Sequence, residues 1–506
     1  MKIIAKNTLT AALLTTALSS LAYGADFKVQ NNGDAGLGSL RQAIIDANGD
    51  VDDNTTITFA PGFNGPINIL DHLPIITKSL TINGVNAQGG KVTVSGQGDN
   101  RPFFIGDGNV AIQVEIKNMD IQDGKAKGGR STYGGGGGGL GGAVLVNQNA
   151  SLIVENVTFS NNTAEGGSTL DYANGPHPIQ NTGGGGTGTD ANTRSGGGSG
   201  YGVNIIQSTG QPGQAGLQNG KGGDGVTIND VVLAGQGGTH PTVGGGGGGG
   251  LGGGGGGGSQ QGDGNPGGNT QGGFGSPSNN DPNIAQVSAD GGGEGAYNGG
   301  GGAGSPVFGG GGGAGGQYNY AGKAGGGGGG FGGGGGGSLK EDAGVGGPFL
   351  GTAGGGGGFG GGGGSTDSNI DGSQGRGGFA AGDGSFTGGY GGGGAGLGGA
   401  LFVMGNLTLK NSIIDGTNKV AGGIVDGDPL RNGQGLGRTL FLMDNAWVNL
   451  IADIPDTIPL SGFASVSAGT INKQGQGTVE LSGDNSAYKG EFCLGGGTLS
   501  IENNNN

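Results

Sequence analysis

The feature that most constrains this chain is a glycine-rich tract running from about Gly128 to Gly399, with β-strand patterning on both sides of it. Glycine fills 144 of 506 positions, yet there are only 16 prolines and no strict three-residue period, which excludes a collagen triple helix. Single large apolar residues interrupt the runs: Leu140, Leu251, Phe331, Phe359 and Leu397. Two runs lead directly into strands, as Leu140-Gly141-Gly142-Ala143-Val144 and Leu397-Gly398-Gly399-Ala400-Leu401. A repeat that joins poly-glycine to strand starts points to a secreted solenoid and away from a compact enzyme.

With 31% apolar and 5% aromatic residues, the chain cannot fill the three compact cores its length would suggest. A formal charge of −15 with only 22 Lys and Arg argues against a nucleic-acid partner and against adhesion to anionic lipid. It suits solubility outside the cell. Lys2 and Lys6 precede a short apolar stretch from Leu9 to Leu21, and Ala22-Tyr23-Gly24 supplies small residues before Ala25. That is the pattern of a secretory signal peptide over residues 1–24. No later segment has the length of apolar sequence a spanning helix needs. The single Cys493 cannot form an internal disulfide, so stability must come from backbone pairing and stacking.

Residues 25–164 read as an N-terminal cap followed by coils. Leu40, Ala43, Ile44 and Ala47 fall on one face of a short helix, with Ser39 as N-cap, Gln42 behind it and Asn48-Gly49 as the stop. Short alternating strands then recur about every ten to thirteen residues, at Ile57–Phe59, Ile67–Ile69, Leu80–Ile82, Val92–Val94 and Phe103–Ile105. Ile112–Ile116, Met119–Ile121, Val144–Val146, Leu152–Val154 and Val157–Phe159 continue the series. This rhythm fits an all-β, right-handed parallel β-helix with a capping helix; an antiparallel sandwich gives similar periodicity. Residues 165–390 form a low-complexity insertion, with Val203–Ile206 and Val226–Leu233 the clearest strand candidates. It is either disordered or a stack of poly-glycine extended helices with the sparse Leu and Phe as pins. Residues 391–506 return to coil-like units through Leu401–Val403, Leu407–Leu409, Leu440–Met443, Trp447–Ile451 and Ala464–Val466. They end in four asparagines without a visible polar cap.

Three stretches resemble the passenger domains of bacterial autotransporters and polymorphic outer-membrane proteins. Gly38-Ser39-Leu40-Arg41-Gln42-Ala43-Ile44 followed by Ile57-Thr58-Phe59 looks like the opening of many secreted β-helix proteins. Gly141-Gly142-Ala143-Val144 and Phe159-Ser160-Asn161-Asn162 resemble the paired GGA-aliphatic and F-x-x-N motifs of the chlamydial polymorphic membrane proteins. Gly477 to Ile501 is similar to the autotransporter-associated β-strand repeat, through Thr478-Val479, Ser482-Gly483, Asn485, Tyr488, Gly490 and Gly496-Gly497-Thr498-Leu499. The resemblance implies a structural role for Gly141, Gly142, Ala143, Phe159, Asn162, Gly398, Gly399 and Ala400, with host-cell adhesion accompanying it. The chain departs from the pattern in showing one Phe-x-x-Asn unit for two Gly-Gly-Ala units. It also carries no eight-stranded outer-membrane barrel after Gly477, which predicts a truncated passenger, one half of a split system or a freely secreted protein.

Catalytic constellations are not legible. His72, His177 and His240 are far apart, with no neighbouring ligand set, and no cofactor or metal is called for. Asp50, Asp52 and Asp53 read as a solvated turn, with weak calcium binding as the alternative. Asp415 and Asp426 are a pair that stacking could bring together, as glycosidase chemistry would require. The expectation is a cell-surface or extracellular protein without catalysis, meeting a host-cell or surface glycan or protein ligand. Tyr297, Tyr318 and Tyr320 are candidate anchors or packing pins. The alternatives are a secreted polysaccharide lyase or glycosidase on the same fold, and a decayed fragment.

Overall fold

The structure, a computed structural model, describes residues 24–51, 55–86, 88–170, 184–188, 190, 329, 331–337, 354–366, 373–387 and 389–502. The leader, Asp52, Asp53, His177, His240, Val203–Ile206, Val226–Leu233, Leu251, Tyr297, Tyr318, Tyr320 and the terminal asparagines lie outside those residues. Among the described residues strand accounts for 37% and helix for 4%, an all-β arrangement. The paired strands run parallel, in one 12-stranded sheet, one 5-stranded sheet and three 3-stranded sheets, with no barrel among the described residues. No helix among the described residues is long and apolar enough to cross a membrane.

The helix spans Leu40–Gly49, and Ser39 Oγ accepts the Gln42 N–H at 3.1 Å, as the capping pattern predicts. Leu40, Ala43, Ile44 and Ala47 are its buried residues, packed towards the strands Asp26–Val29 and Thr55–Phe59. Asn48 fastens the helix end to the next layer. Its Nδ2 donates to Ile75 O at 2.7 Å and its Oδ1 accepts the Thr77 N–H at 3.0 Å.

Each strand of the large sheet repeats the same inward positions. Ile57, Ile82, Ile116, Val154, Leu409 and Leu450 stand in one register column. All six are buried, and each contributes about 1.5–3 kcal/mol of apolar burial. Next in the column is a charge: Lys473 pairs with Leu450 on one side and Leu494 on the other, and is as buried as the six. Its ammonium donates to the carbonyls of Gln474, Gly475 and Gly496 at 2.7, 2.9 and 2.9 Å, which satisfies all three protons. A lysine stem therefore fills an aliphatic place while its head closes a turn.

Left-handed residues stand within the long strands Ile112–Gln122 and Ala150–Ser160, and between Asn406–Lys410 and Ile413–Ile414. Asn118, Asn156 and Asn411 have φ of 55°, 55° and 47°, the conformation that asparagine tolerates best after glycine. Their side chains stack along the layers: Asn156 Nδ2 donates to Asn118 Oδ1 at 2.8 Å, and Asn118 Nδ2 to Asn83 Oδ1 at 2.9 Å.

The register crosses the glycine-rich insertion without a break. Val144–Val146 pairs with Leu401–Val403, Ser151–Glu155 with Asn406–Lys410, and Thr163–Glu165 with Lys419–Ala421. The whole insertion is thus a detour between two strand layers that pack as immediate neighbours.

Candidate functional site: the Gly-Gly-Ala corner and the glycine stack

The two Gly-Gly-Ala motifs, remote in sequence, occupy the same corner. Gly141 N–H donates to Leu397 O at 2.9 Å, Gly142 N–H to Gly398 O at 3.1 Å and Ala143 N–H to Ala400 O at 2.9 Å. The first glycine of each has left-handed backbone, with φ of +68° at Gly141 and +70° at Gly398, and Gly437 repeats it at +71°. A Cβ on Gly142 would land on Gly399 O, well inside van der Waals distance. The third layer reads Gly437-Arg438-Thr439, which the motif pattern does not pick out. On the other side of the corner stands Arg101. It is buried, with Nε donating to Gly141 O at 2.8 Å and Nη2 to Leu140 O at 2.6 Å. His72 Nδ1 accepts the Arg101 N–H at 3.3 Å, and burial, helped by the Arg101 charge, pushes its pKa down to about 4.

Phe159 and Asn162 are both fully buried. Asn162 Oδ1 accepts the Gly124 N–H at 2.8 Å, while its Nδ2 lies 3.1 Å from Ile121 O and 2.9 Å from Asn418 Oδ1. Asn418 in turn donates from Nδ2 to Phe159 O at 3.0 Å. The structure therefore holds a second unit of this kind, since Ile414 pairs with Phe159 and Asn418 lies beside Asn162. The F-x-x-N pattern shows one unit because Ile414 and Asn418 are spaced one residue wider and an isoleucine replaces the aromatic. An F-x-x-N search cannot find that spacing; an apolar-to-asparagine search tolerant of one insertion would.

The described glycine segments are hydrogen-bonded to one another. Gly135 and Gly138 donate to Gly335 and Gly332 at 2.7 and 2.6 Å; Gly136 and Gly139 donate to Gly392 and Ala395 at 2.9 and 2.8 Å. Residues three apart thus face the same neighbour, the mark of an extended helix with three residues per turn. The first pair of runs is antiparallel and the second parallel. The same spacing recurs where Gly354 and Gly357 donate to Ser373 and Arg376, and where Gly363 and Thr366 donate to Gly382 and Ser385. A Cβ on Gly136 would strike Gly167 O, and one on Gly362 would strike Gly392 O. Where they are described, the glycine segments of residues 165–390 pack against one another through backbone hydrogen bonds. They pack with glycines before residue 165 and after residue 390, so the sequence boundary is not a packing boundary.

The residues that punctuate the glycine runs converge. Leu140, Phe331, Phe359 and Leu397 share one apolar cluster with Phe104, Leu145, Phe402 and Phe441. Phe331 stacks on Phe359 with centroids 5.0 Å apart, Phe359 on Phe379 at 5.3 Å and Phe402 on Phe441 at 5.4 Å. Each such contact adds ~0.5–1.5 kcal/mol to plain burial.

No family model, curated protein or solved structure matches this chain.

All eight motif residues, Gly141 to Ala143, Phe159, Asn162 and Gly398 to Ala400, are buried. Contact with any partner falls to other positions. The outward positions of the large sheet form columns of their own. One runs through Ser151, Asn406, Trp447 and Thr470, and the next through Ile153, Thr408, Asn449 and Asn472. Beyond them lies a charged column in which Lys410 pairs with Glu155 at 2.7 Å.

Proposed function

We propose that the protein is an exported, surface-exposed or extracellular right-handed parallel β-helix that serves in adhesion or surface architecture, without catalysis. The observation that carries the reading is the continuous parallel register on either side of the insertion. A chain that returns to the same columns layer after layer builds a long, rigid body with repeated outward faces, the form suited to presenting contacts away from a cell. The buried Gly-Gly-Ala corner and Asn162 ladder support a scaffolding role for the motifs. The passenger-like resemblance supports export, and the acidic composition supports solubility once outside.

Fractionation of cells expressing the full chain, with protease added to intact cells, tests the location. Recovery in the medium, or cleavage from outside, supports the reading; retention in the cytoplasm overturns it. Adherence of beads coated with residues 25–506 to cells or extracellular matrix tests the function. Coated beads that bind no better than albumin-coated beads, from a protein that makes no visible surface layer, would remove adhesion and architecture together.

A further inference from the structure

Trp447 is the one tryptophan of the chain and lies on a sheet, yet it is 47% exposed. An aromatic of this size leaves water readily when a partner is offered. Its position is set on three sides. Within its own strand the indole Nε1 donates to Asn449 Oδ1 at 3.0 Å, which ties the ring to the neighbouring outward position. In register on the adjoining strands stand Asn406 and Thr470. Thr408 and Asn472 flank Asn449 in the same way. The six outward residues across three strands are therefore one indole, three amides and two hydroxyls, with no charge among them.

One of these amides does not present its donor to the face. Asn472 Nδ2 is buried and has no hydrogen-bond partner among the described residues. That donor is closed off from the face, so the groups left to a ligand are the indole, the Asn406 and Asn449 amides and the Thr408 and Thr470 hydroxyls.

We infer that this face is a binding platform for a neutral polysaccharide. The inference rests on the proposed extracellular role and names the ligand class for it. Sugar rings present C–H faces that stack on an indole and a rim of hydroxyls that exchange hydrogen bonds with amides and hydroxyls. Strands about 4.8 Å apart repeat those groups along the sheet, so an extended chain of sugars meets them in series. Charge selects the class: the bordering cation, Lys410, is already paired with Glu155, Glu491 stands beside Thr470, and a protein of formal charge −15 repels an acidic glycan.

The test is affinity electrophoresis of residues 25–506 in gels containing barley β-glucan, xylan, galactomannan or dextran, with polygalacturonate and alginate as acidic controls. Emission of the single tryptophan is titrated in parallel with any polymer that retards the protein. The expected result is retardation by at least one neutral polymer, with a shift in Trp447 emission. Trp447→Ala should weaken binding ~10-fold or more, and Trp447→Phe less. Trp447→Ala should keep the wild-type circular dichroism, because the side chain is half outside the sheet. Retardation by none of the neutral polymers, retardation by acidic polymers alone, or equal retardation of Trp447→Ala overturns the platform. Wild-type protein that coats adherent beads but is retarded by no neutral polymer would sink this inference and leave the adhesive reading standing. Loss of adhesion in wild type with sugar binding intact would do the reverse.

Discussion

Asn162 Nδ2 donates to Asn418 Oδ1 at 2.9 Å, although 256 residues separate the two in the chain. The bond joins the last layer before the glycine-rich insertion to the first layer after it. It lies on the same side as the pairing of Thr163–Glu165 with Lys419–Ala421, so the ladder and the sheet register reinforce one another.

We predict that Asn162→Ala destabilises the chain by ~2–4 kcal/mol, because it strands the Gly124 N–H and the Asn418 amide in a buried place. Asn156→Gly, at an exposed left-handed position, should change stability by only a few tenths. Urea-unfolding midpoints of the two variants would test this, and equal midpoints would remove the ladder from the account.

Gly142→Ala should abolish the native corner, since its Cβ collides with the Gly399 backbone and neither strand layer can yield alone. Gly416→Ala meets nothing within 4 Å and should fold normally. Comparison of soluble yield and melting temperature separates the two, and a well-folded Gly142→Ala would contradict the close approach of these layers.

The aromatic pins should govern the glycine stack. Phe359→Ala removes a ring packed against Phe331, Phe379, Phe402 and Phe441, at a cost of ~3–5 kcal/mol. Limited proteolysis should then cut faster between residues 331 and 387 than in wild type. An unchanged cleavage pattern would mean that backbone bonds alone hold the runs.

His72 makes the N-terminal layers acid-sensitive. Its folded pKa of about 4 lies below the unfolded value near 6.5, so below pH 6.5 the unfolded chain takes up a proton that the folded one refuses. Stability tied to this group is whole above pH 6.5 and falls as pH drops towards 4, by at most ~3 kcal/mol. Unfolding measured at pH 7, 5.5 and 4.5 should show a smaller acid loss in His72→Gln than in wild type. Parallel losses in both proteins would clear His72 of the effect.

Lys473 should tolerate neither loss of its head nor loss of its stem. Lys473→Met keeps the apolar fill but takes the ammonium from the Gly475 and Gly496 carbonyls and from that of Gln474, which keeps the Ala452 N–H, and Lys473→Ala forfeits both. Hydrogen exchange over residues 470–502 is expected to quicken in both variants, more in Lys473→Ala. Wild-type protection in Lys473→Met would show that water serves those carbonyls equally well.

Local chemistry was enough to place most of the strands and the capping helix. Leu40, Ala43, Ile44 and Ala47 share a face by spacing alone, and Ile57, Ile82, Val154 and Leu409 sit in alternating triplets whose period is a property of the extended backbone. The glycine punctuation was also legible, because Phe331 and Phe359 stand out against residues with no side chain. Less visible were Lys125–Lys127 and Ile413–Ile414, where two or three residues carry no periodicity, and the five-residue Thr470–Gln474, where a core position holds a lysine. Tertiary structure alone decided which layers meet. Nothing near Gly141 in sequence names Gly398 as its neighbour, and nothing in a run of glycines says which run it will bond. Glycine backbones are chemically identical, so their partners are chosen by the strands and aromatic pins that bring them into register. For the same reason Trp447 reads as one more strand residue in sequence, and becomes a surface only when Asn406 and Thr470 are set beside it.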